Sequence, residues 1–440
     1  MTHIPMKIAI IGSGISGLAA AHALQPHADI TLFEAGSYFG GHTHTVEITL
    51  PTANGSVTHG IDTGFLVFNE RTYPNLIKLL AQLDVATTKS DMSFSVQVPR
   101  SHGALEWSGS SLSTVFAQRG NLLNPRFWRM LRDLMRFNKL ATRIAETGQE
   151  ASMMQALDAF LQEHHFSNEF RDWYLLPMLG CIWSCPTEMM LQFPVATMIR
   201  FCHNHGLIQV SNRPQWWTVT GGARHYVDKI IAKIADKRLN TAVRSVARDT
   251  RGVYITTDTG TERFDKVVLA THSDQALALL QHPSQAERAT LSAISYQPNT
   301  AVLHTDASVL PQRQTAWAAW NYERVQANGN TSDSDSTARV CLHYLINKLQ
   351  PIPFEQPVIV SLNPGKAIAA EQVLGSFDYA HPVFDAAAIR AQADMPQLQG
   401  KQNTYFCGAW MGYGFHEDGL KAGLGVAELL MAEMDWKAVA

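Results

Sequence analysis

The first 35 residues constrain the fold more than any other part of the chain. The apolar run KIAIIG (7–12) leads into Gly12-Ser13-Gly14-Ile15-Ser16-Gly17, then the helix-like LAAAHAL, then a second apolar run, DITLFEA, that carries Glu34. Strand, glycine turn, helix and strand in that order make one βαβ unit of a doubly wound, nucleotide-binding fold. Gly12 permits the tight turn, Gly14 lets backbone approach a pyrophosphate, and Gly17 lets helix pack closely on strand. Ser16 lies in the first turn of that helix, whose amides face the phosphates with their partial positive charge. Glu34, 17 residues beyond Gly17, is placed to accept hydrogen bonds from an adenosine ribose. In a chain with 29 glycines a triplet alone would say little. The reading rests on four elements agreeing in sequence.

At 440 residues the chain is long enough for two or three domains. A 46% hydrophobic and 17% charged composition with a net charge of -3 is that of a soluble globular protein and argues against disorder and nucleic-acid binding. No uninterrupted apolar run reaches the roughly 18 residues of a membrane span. MKIAIIGSG runs into the glycine turn and not into a cleavage site, so it reads as a buried strand and not as a signal peptide. Five scattered cysteines suggest reduced thiols and a cytoplasmic setting. Cys181 and Cys185 have no second pair at zinc spacing, and the pairs His42/His44, His164/His165 and His203/His205 are poorly aimed for shared ligation, so no metal is expected.

Further glycine motifs recur along the chain. AGSYFGGHTHT places Gly40, Gly41, His42 and Thr43 just after Glu34, GIDTGFLVFN supplies Asp62 and Gly64, and TVTGGARHYV supplies Gly221 and Gly222. Alternating strands with turn signals then end in KVVLAT, and NTYFCGAW repeats the pattern of apolar strand followed by glycine at Gly408. Together these residues resemble the FAD-dependent amine oxidase superfamily, which includes monoamine oxidases, protoporphyrinogen oxidases and phytoene-type desaturases. The resemblance implies FAD as cofactor and contacts to it from Val243 through its backbone, from Gly408, and from the turn of Asp418, Gly419 and Leu420. There a last helix would begin and aim its amides at the flavin. His42 takes the position that Arg holds in that superfamily. SDMSFSV, GCIWSCPTEMMLQFPV, WWTVTGGARHYV, DYAHPVF and GYGFHEDGL look more narrowly like a bacterial branch described as FAD-dependent oxidoreductases. That branch is associated with cyclopropane-fatty-acid-synthase-like methyltransferases.

The expected architecture is α/β: a Rossmann-like FAD domain from 1–89, 213–275 and 395–440, and an interleaved α+β substrate domain from 90–212 and 276–394. The latter carries a helical part at about 110–205. SYQPNTAVLHTDASVLP and TARVCLHYLINKLQ read as its strands, and 328–336, NGNTSDSDS, as a polar surface loop. Pro125 suits a helix start. Arg129, Arg132, Arg136, Lys139 and Arg143 then follow at intervals of 3, 4, 3 and 4, forming one basic stripe, with Phe127, Leu131, Leu134 and Ala141 on another face. From Arg119 to Arg143 seven basic residues face one acidic residue, a local +6 that leaves -9 for the remainder. A basic helix at 126–143 bearing Trp128 is either a peripheral contact with an anionic membrane or a solvated face. The cluster WYLLPMLGCIWSCP is either a substrate tunnel or helical core.

A flavin abstracts hydride itself, so the protein need only position a C–H bond and manage protons. Tyr413, Phe415 and His416 occupy the approach to the last helix. His416 is the candidate for proton handling because its ordinary pKa lies near neutrality. Tyr379 and His381 are weaker candidates for the pocket wall. The expected reaction is oxidation of an apolar C–H bond, acyl-chain desaturation of a membrane lipid foremost. Amine oxidation, double-bond isomerisation and a role as FAD-containing partner of a lipid methyltransferase are the alternatives.

Overall fold

The computed structural model describes residues 5–100, 103–149, 153, 155–184, 186–209, 213–324 and 340–439. Cys185 and the polar run 328–336 lie outside them. The architecture is mixed α/β around two main sheets.

Five parallel strands form the first sheet, in the order Asp236–Arg238, Asp29–Phe33, Lys7–Ile11, Lys266–Leu269, Thr404–Phe406. Its central strand is continuously apolar because both faces are covered: Ile8, Ala9 and Ile10 are wholly buried. Ile8 and Ile10 pack toward the fingerprint helix, Ile15–Leu24, and the C-terminal helix, His416–Val439. Ala9, Ile11 and Phe33 pack toward a three-stranded antiparallel sheet, Val243–Asp249, Gly252–Thr257 and Gly260–Phe264, through Val246, Val253 and Ile255. The fingerprint and C-terminal helices touch where side chains are smallest. A Cβ on Gly423 would stand 2.1 Å from the Ser16 carbonyl oxygen, and one on Gly419 2.8 Å from Ile15 Cγ2.

The second sheet has seven strands, in the order Val373–Pro382, Tyr296–His304, Ile359–Leu362, Val340–Leu345, Trp320–Arg324, Phe94–Pro99, Ala104–Ser108. Strands precede the helical part, expected at about 110–205, of the segment 90–212. Its first part is the hairpin Phe94–Pro99 and Ala104–Ser108, which joins the sheet through a parallel match of Phe94 to Trp320. That partner lies more than two hundred residues away, so nothing local announces it. Helices follow from Leu112 to Asn204, including the basic helix Pro125–Thr147. The Asn124 side chain caps this helix by accepting from the Arg126 and Phe127 amides, and Gly148 ends it at φ 69°.

Candidate active site

A cavity of about 700 Å³ runs from the fingerprint turn at the carboxyl ends of the parallel strands to the helical layer. At one end its wall is Gly12, Ser13, Gly14, Ser16, Glu34, Gly40, Gly41, His42, Gly64, Val243 and Gly408. The sequence thus brings residues from six separate segments to one place. Ser13, which the sequence reading passed over, ties three of them together. Glu34 Oε2 accepts from the Ser13 amide (2.9 Å) and hydroxyl (2.5 Å), Glu34 Oε1 from the Gly36 amide (2.8 Å), and the Gly40 amide donates to Ser13 Oγ (3.1 Å).

The glycines divide by what they leave room for. A Cβ on Gly17 would stand 1.9 Å from the Gly12 carbonyl oxygen, so Gly17 serves helix-to-turn packing and lies outside the cavity wall. Gly64 permits the crossing with His42, where a Cβ would meet the His42 carbonyl oxygen at 2.2 Å. Gly14 is different: a Cβ there meets no protein atom within 4 Å. The space beside it belongs to the cavity. Bare backbone at Gly14 and Gly41, a helix N-terminus free of acidic side chains, and a carboxylate at the second strand end form a donor set fitting a dinucleotide pyrophosphate and ribose.

The His-Glu-Asp run resolves into three separate duties. His416 Nε2 lies 2.8 Å from the Tyr226 hydroxyl, which in turn meets Thr43 Oγ1, and the imidazole stacks on Phe65 with centroids 3.8 Å apart. Glu417 accepts from the amides of Asn75 (2.9 Å) and Leu76 (3.0 Å), capping the helix Pro74–Gln82. Asp418 accepts from the amides of Tyr413 (3.1 Å) and Phe415 (3.0 Å), and burial pushes its pKa up to about 6. Neither carboxylate lines the cavity.

Four expectations change here. The last helix begins at His416, two residues before Asp418, and the Gly419 amide already donates to the Phe415 carbonyl at 3.1 Å. Asp418, Gly419 and Leu420 therefore do not face the cavity. Gly414, Phe415 and His416 do, and Leu420 is buried in the core. Tyr413 lines an adjoining depression, beside Arg71 and His203, that shares Tyr73, Phe201, His205 and Phe415 with the cavity wall. Thr43 reaches the site only through Tyr226. Burial also pushes His416 down to about 3, so the imidazole is neutral near pH 7, away from the ordinary value that suggested proton handling. Tyr226, within the TVTGGARHYV motif, is a second residue, after Ser13, that the sequence reading missed.

His42 and His381, 5.5 Å apart, also line the wall, held down to about 3 and about 4 by burial first and neighbouring imidazoles second. Tyr379 lies beside them, its ring 5.0 Å from His42 and its hydroxyl 2.8 Å from Thr63 Oγ1. Asp62 sits behind the wall. It accepts from the Ala223 amide (2.9 Å), Thr45 Oγ1 (2.5 Å) and Gln350 Nε2 (2.8 Å), while burial raises its pKa to about 7.

At its other end the cavity is apolar, with Met92, Ile182, Phe201, Leu207, Trp216 and Trp320 in the wall. Of the segment WYLLPMLGCIWSCP, Cys181, Ile182 and Ser184 line the cavity while Trp173, Tyr174, Met178 and Trp183 are buried in the core. The segment thus divides between cavity wall and core. Glu34 is the one Asp, Glu, Lys or Arg among the described wall residues, and it belongs to the fingerprint end.

Away from the cavity, Glu323, Cys341 and His343 converge on adjacent strands. Hydrogen bonding accounts for them. His304 Nδ1 accepts from the Asp306 amide (3.1 Å), so its Nε2 proton goes to Ser361 Oγ (2.7 Å). The Ser361 proton then goes to His343 Nδ1 (2.6 Å), and the His343 Nε2 proton to Glu323 (3.2 Å).

Residues 15–353 match the family described as Flavin containing amine oxidoreductase. Polyamine oxidase 4 of Oryza sativa subsp. japonica is 26% identical over 269 residues, 58% of this chain and 49% of that one, so the match spans about half the length of this curated relative. Solved structures share the fold across nearly the whole chain. A CLA-producing fatty acid isomerase from P. acnes is similar at a TM-score of 0.64 and 16% identity, over 97% of this chain and 98% of that one. Putrescine oxidase, in its wild type bound to putrescine, gives 0.67 and 16% over 97% and 99%. Cyclohexylamine oxidase from Brevibacterium oxydans gives 0.65 and 15% over 98% and 100%. With a family match over most of its length, a dinucleotide-fitting turn and a wall closed by its last helix, the chain belongs to the flavin-containing amine oxidoreductases, FAD-dependent oxidoreductases whose cofactor is FAD.

Proposed function

We propose that the chain oxidises a C–H bond of a long apolar substrate, a fatty acyl chain foremost. The observation that carries this is the charge-free far wall of the cavity. A polyamine carries ammonium groups along its length, and burying each of them without a carboxylate partner costs several kcal/mol. Among the described wall residues the one carboxylate, Glu34, is occupied by Ser13 and Gly36 at the opposite end. An acyl chain asks only for apolar contact, about 0.8 kcal/mol for each buried CH₂.

Bound FAD supplies the hydride acceptor. The chain's own residues orient and exclude. Phe415 stacks on Phe201 with centroids 4.7 Å apart, fixing one wall, while Tyr226 holds His416 against Phe65 at the junction between the two ends. The low pKa of His416 keeps that junction uncharged. Net desaturation also releases a proton and requires an electron acceptor that reoxidises the flavin. Redox-neutral migration of a double bond fits the same apolar wall, and a fatty acid isomerase shares the fold over 97% of this chain.

Anaerobic mixing separates the readings. Bleaching of the flavin by fatty acids or phospholipid, with putrescine and spermine inert, is the expected result. Positional isomers formed without bleaching select isomerisation. Bleaching by polyamines alone overturns the acyl reading.

A further inference from the structure

Eight large hydrophobic side chains are exposed among the described residues, and five of them fall between Leu112 and Met135. Leu112 is 81% exposed, Leu122 45%, Leu123 90%, Trp128 49% and Met135 55%. Tyr38, Val373 and Leu429 are the others, far apart in sequence. Single exposed hydrophobics need no explanation, but a cluster on one segment does.

The cluster is built, not frayed. Leu122 and Leu123 close a short 3₁₀ turn, Arg119–Leu123, that leads through Asn124 into the basic helix. The Trp128 indole donates to the Leu122 carbonyl at 2.9 Å, and its ring lies 5.4 Å from that of Phe116. The inner face of the helix is spent on the core through Phe127, Met130, Phe137, Ala141 and Ile144. Trp128, Arg132, Met135 and Lys139, at i, i+4, i+7 and i+11, make a line on the outer face, where apolar and cationic side chains alternate.

Cations surround the apolar group. The side chains of Arg126, Arg129, Arg132 and Arg136 are 64%, 54%, 71% and 44% exposed. Their carboxylate partners are buried beneath them and shared: Glu169 between Arg126 and Arg129, and Asp133 between Arg132 and Arg136. Four of the seven basic residues from Arg119 to Arg143 thus share two carboxylates. A merely solvated basic face has no use for a leucine that is 90% exposed beside a half-exposed tryptophan.

We infer that this surface docks on an anionic lipid bilayer, with Leu112, Leu122, Leu123 and Trp128 entering the interface and Arg132, Lys139 and their neighbours meeting headgroup phosphates. The complementarity is of both kinds at once, apolar and cationic. The basic helix packs against the helix Val195–Asn204, whose Phe201 lines the cavity, so the docking surface lies one helical layer from the substrate site.

Co-sedimentation of the full-length, flavin-loaded protein tests this without any turnover. The probes are phosphatidylcholine vesicles and phosphatidylcholine vesicles containing phosphatidylglycerol. Preferential binding to the anionic vesicles, weakened by salt, is expected. Arg132→Glu with Lys139→Glu, and separately Leu123→Glu, each lower it about tenfold or more at unchanged flavin content and Tm. Equal binding to neutral and anionic vesicles, full retention by both variants, or a wild type that ignores vesicles and self-associates through this face overturns the inference. The readout does not depend on the substrate, so it stands or falls separately from the acyl reading.

Discussion

The Tyr226 hydroxyl lies 2.8 Å from Nε2 of His416, 190 positions further along the chain. This bond joins the helix Arg224–Ile231, which follows the glycine turn after the strand Trp216–Val219, to the start of the C-terminal helix, and Thr43 extends it into the loop after the fingerprint. Three segments that build the site are held by one hydroxyl.

Replacing Tyr226 with Phe removes both bonds and leaves a buried imidazole nitrogen without its partner, a loss of about 1–3 kcal/mol. A lower Tm and slower flavin reduction are expected. His416→Asn should reduce the rate but leave the shape of the pH–rate profile between pH 5 and 8 unchanged, because burial already holds His416 near 3. A lost inflection in that window would show His416 titrating in turnover.

Gly14 and Gly17 separate cofactor binding from folding. Gly14→Ala meets open cavity, so the apoprotein should keep its Tm while FAD affinity falls tenfold or more, read by fluorescence titration. Gly17→Ala drives a methyl to 1.9 Å from a carbonyl oxygen and should lower the Tm of the apoprotein itself, by about 1–3 kcal/mol or more in stability.

Stability should fall on the acid side of neutrality. His42 and His416 are lowered from 6.5 to about 3, and His205, His304 and His381 to about 4, chiefly by burial. Between pH 6.5 and 4 the unfolded chain binds protons at these sites that the folded chain refuses, so acid favours unfolding. Asp62 and Asp418, raised to about 7 and about 6, act in the opposite direction because their folded forms bind protons more readily. Five groups outweigh two, and thermal melts of the apoprotein from pH 8 to 4 should show Tm declining below about pH 6.5.

Introducing Glu at Ile182 places a carboxylate in the apolar wall. KM for an acyl substrate should rise about tenfold or more, and cationic amines should gain relative to it. Steady-state kinetics with both substrate classes checks the exchange.

The nucleotide-binding half was legible because its signals are local: strand, glycine turn, helix and acidic residue lie within 35 residues, and Gly17 meets the carbonyl of Gly12 in the same turn. The register of the last helix was not. Asp418 looks like a helix start in sequence, but it spends its carboxylate on the Tyr413 and Phe415 amides from inside the first turn, so the wall falls two residues earlier. The pairing of Phe94 with Trp320 and of Tyr226 with His416 depends on long-range contacts that leave no periodicity behind. The basic stripe was readable from spacing. That Leu123 and Trp128 stand exposed beside it required knowing what the helix buries.

The glycine contact between the first and last helices also sets an order of events during synthesis. Ser16 and Ala19 emerge early from the ribosome, but the backbone that packs on them, at Gly419 and Gly423, is made some four hundred residues later. Until then the phosphate-binding helix lacks its cover and the cavity lacks Phe415 and His416. A chain cut before Phe415 should therefore hold FAD less tightly than one that carries the last helix.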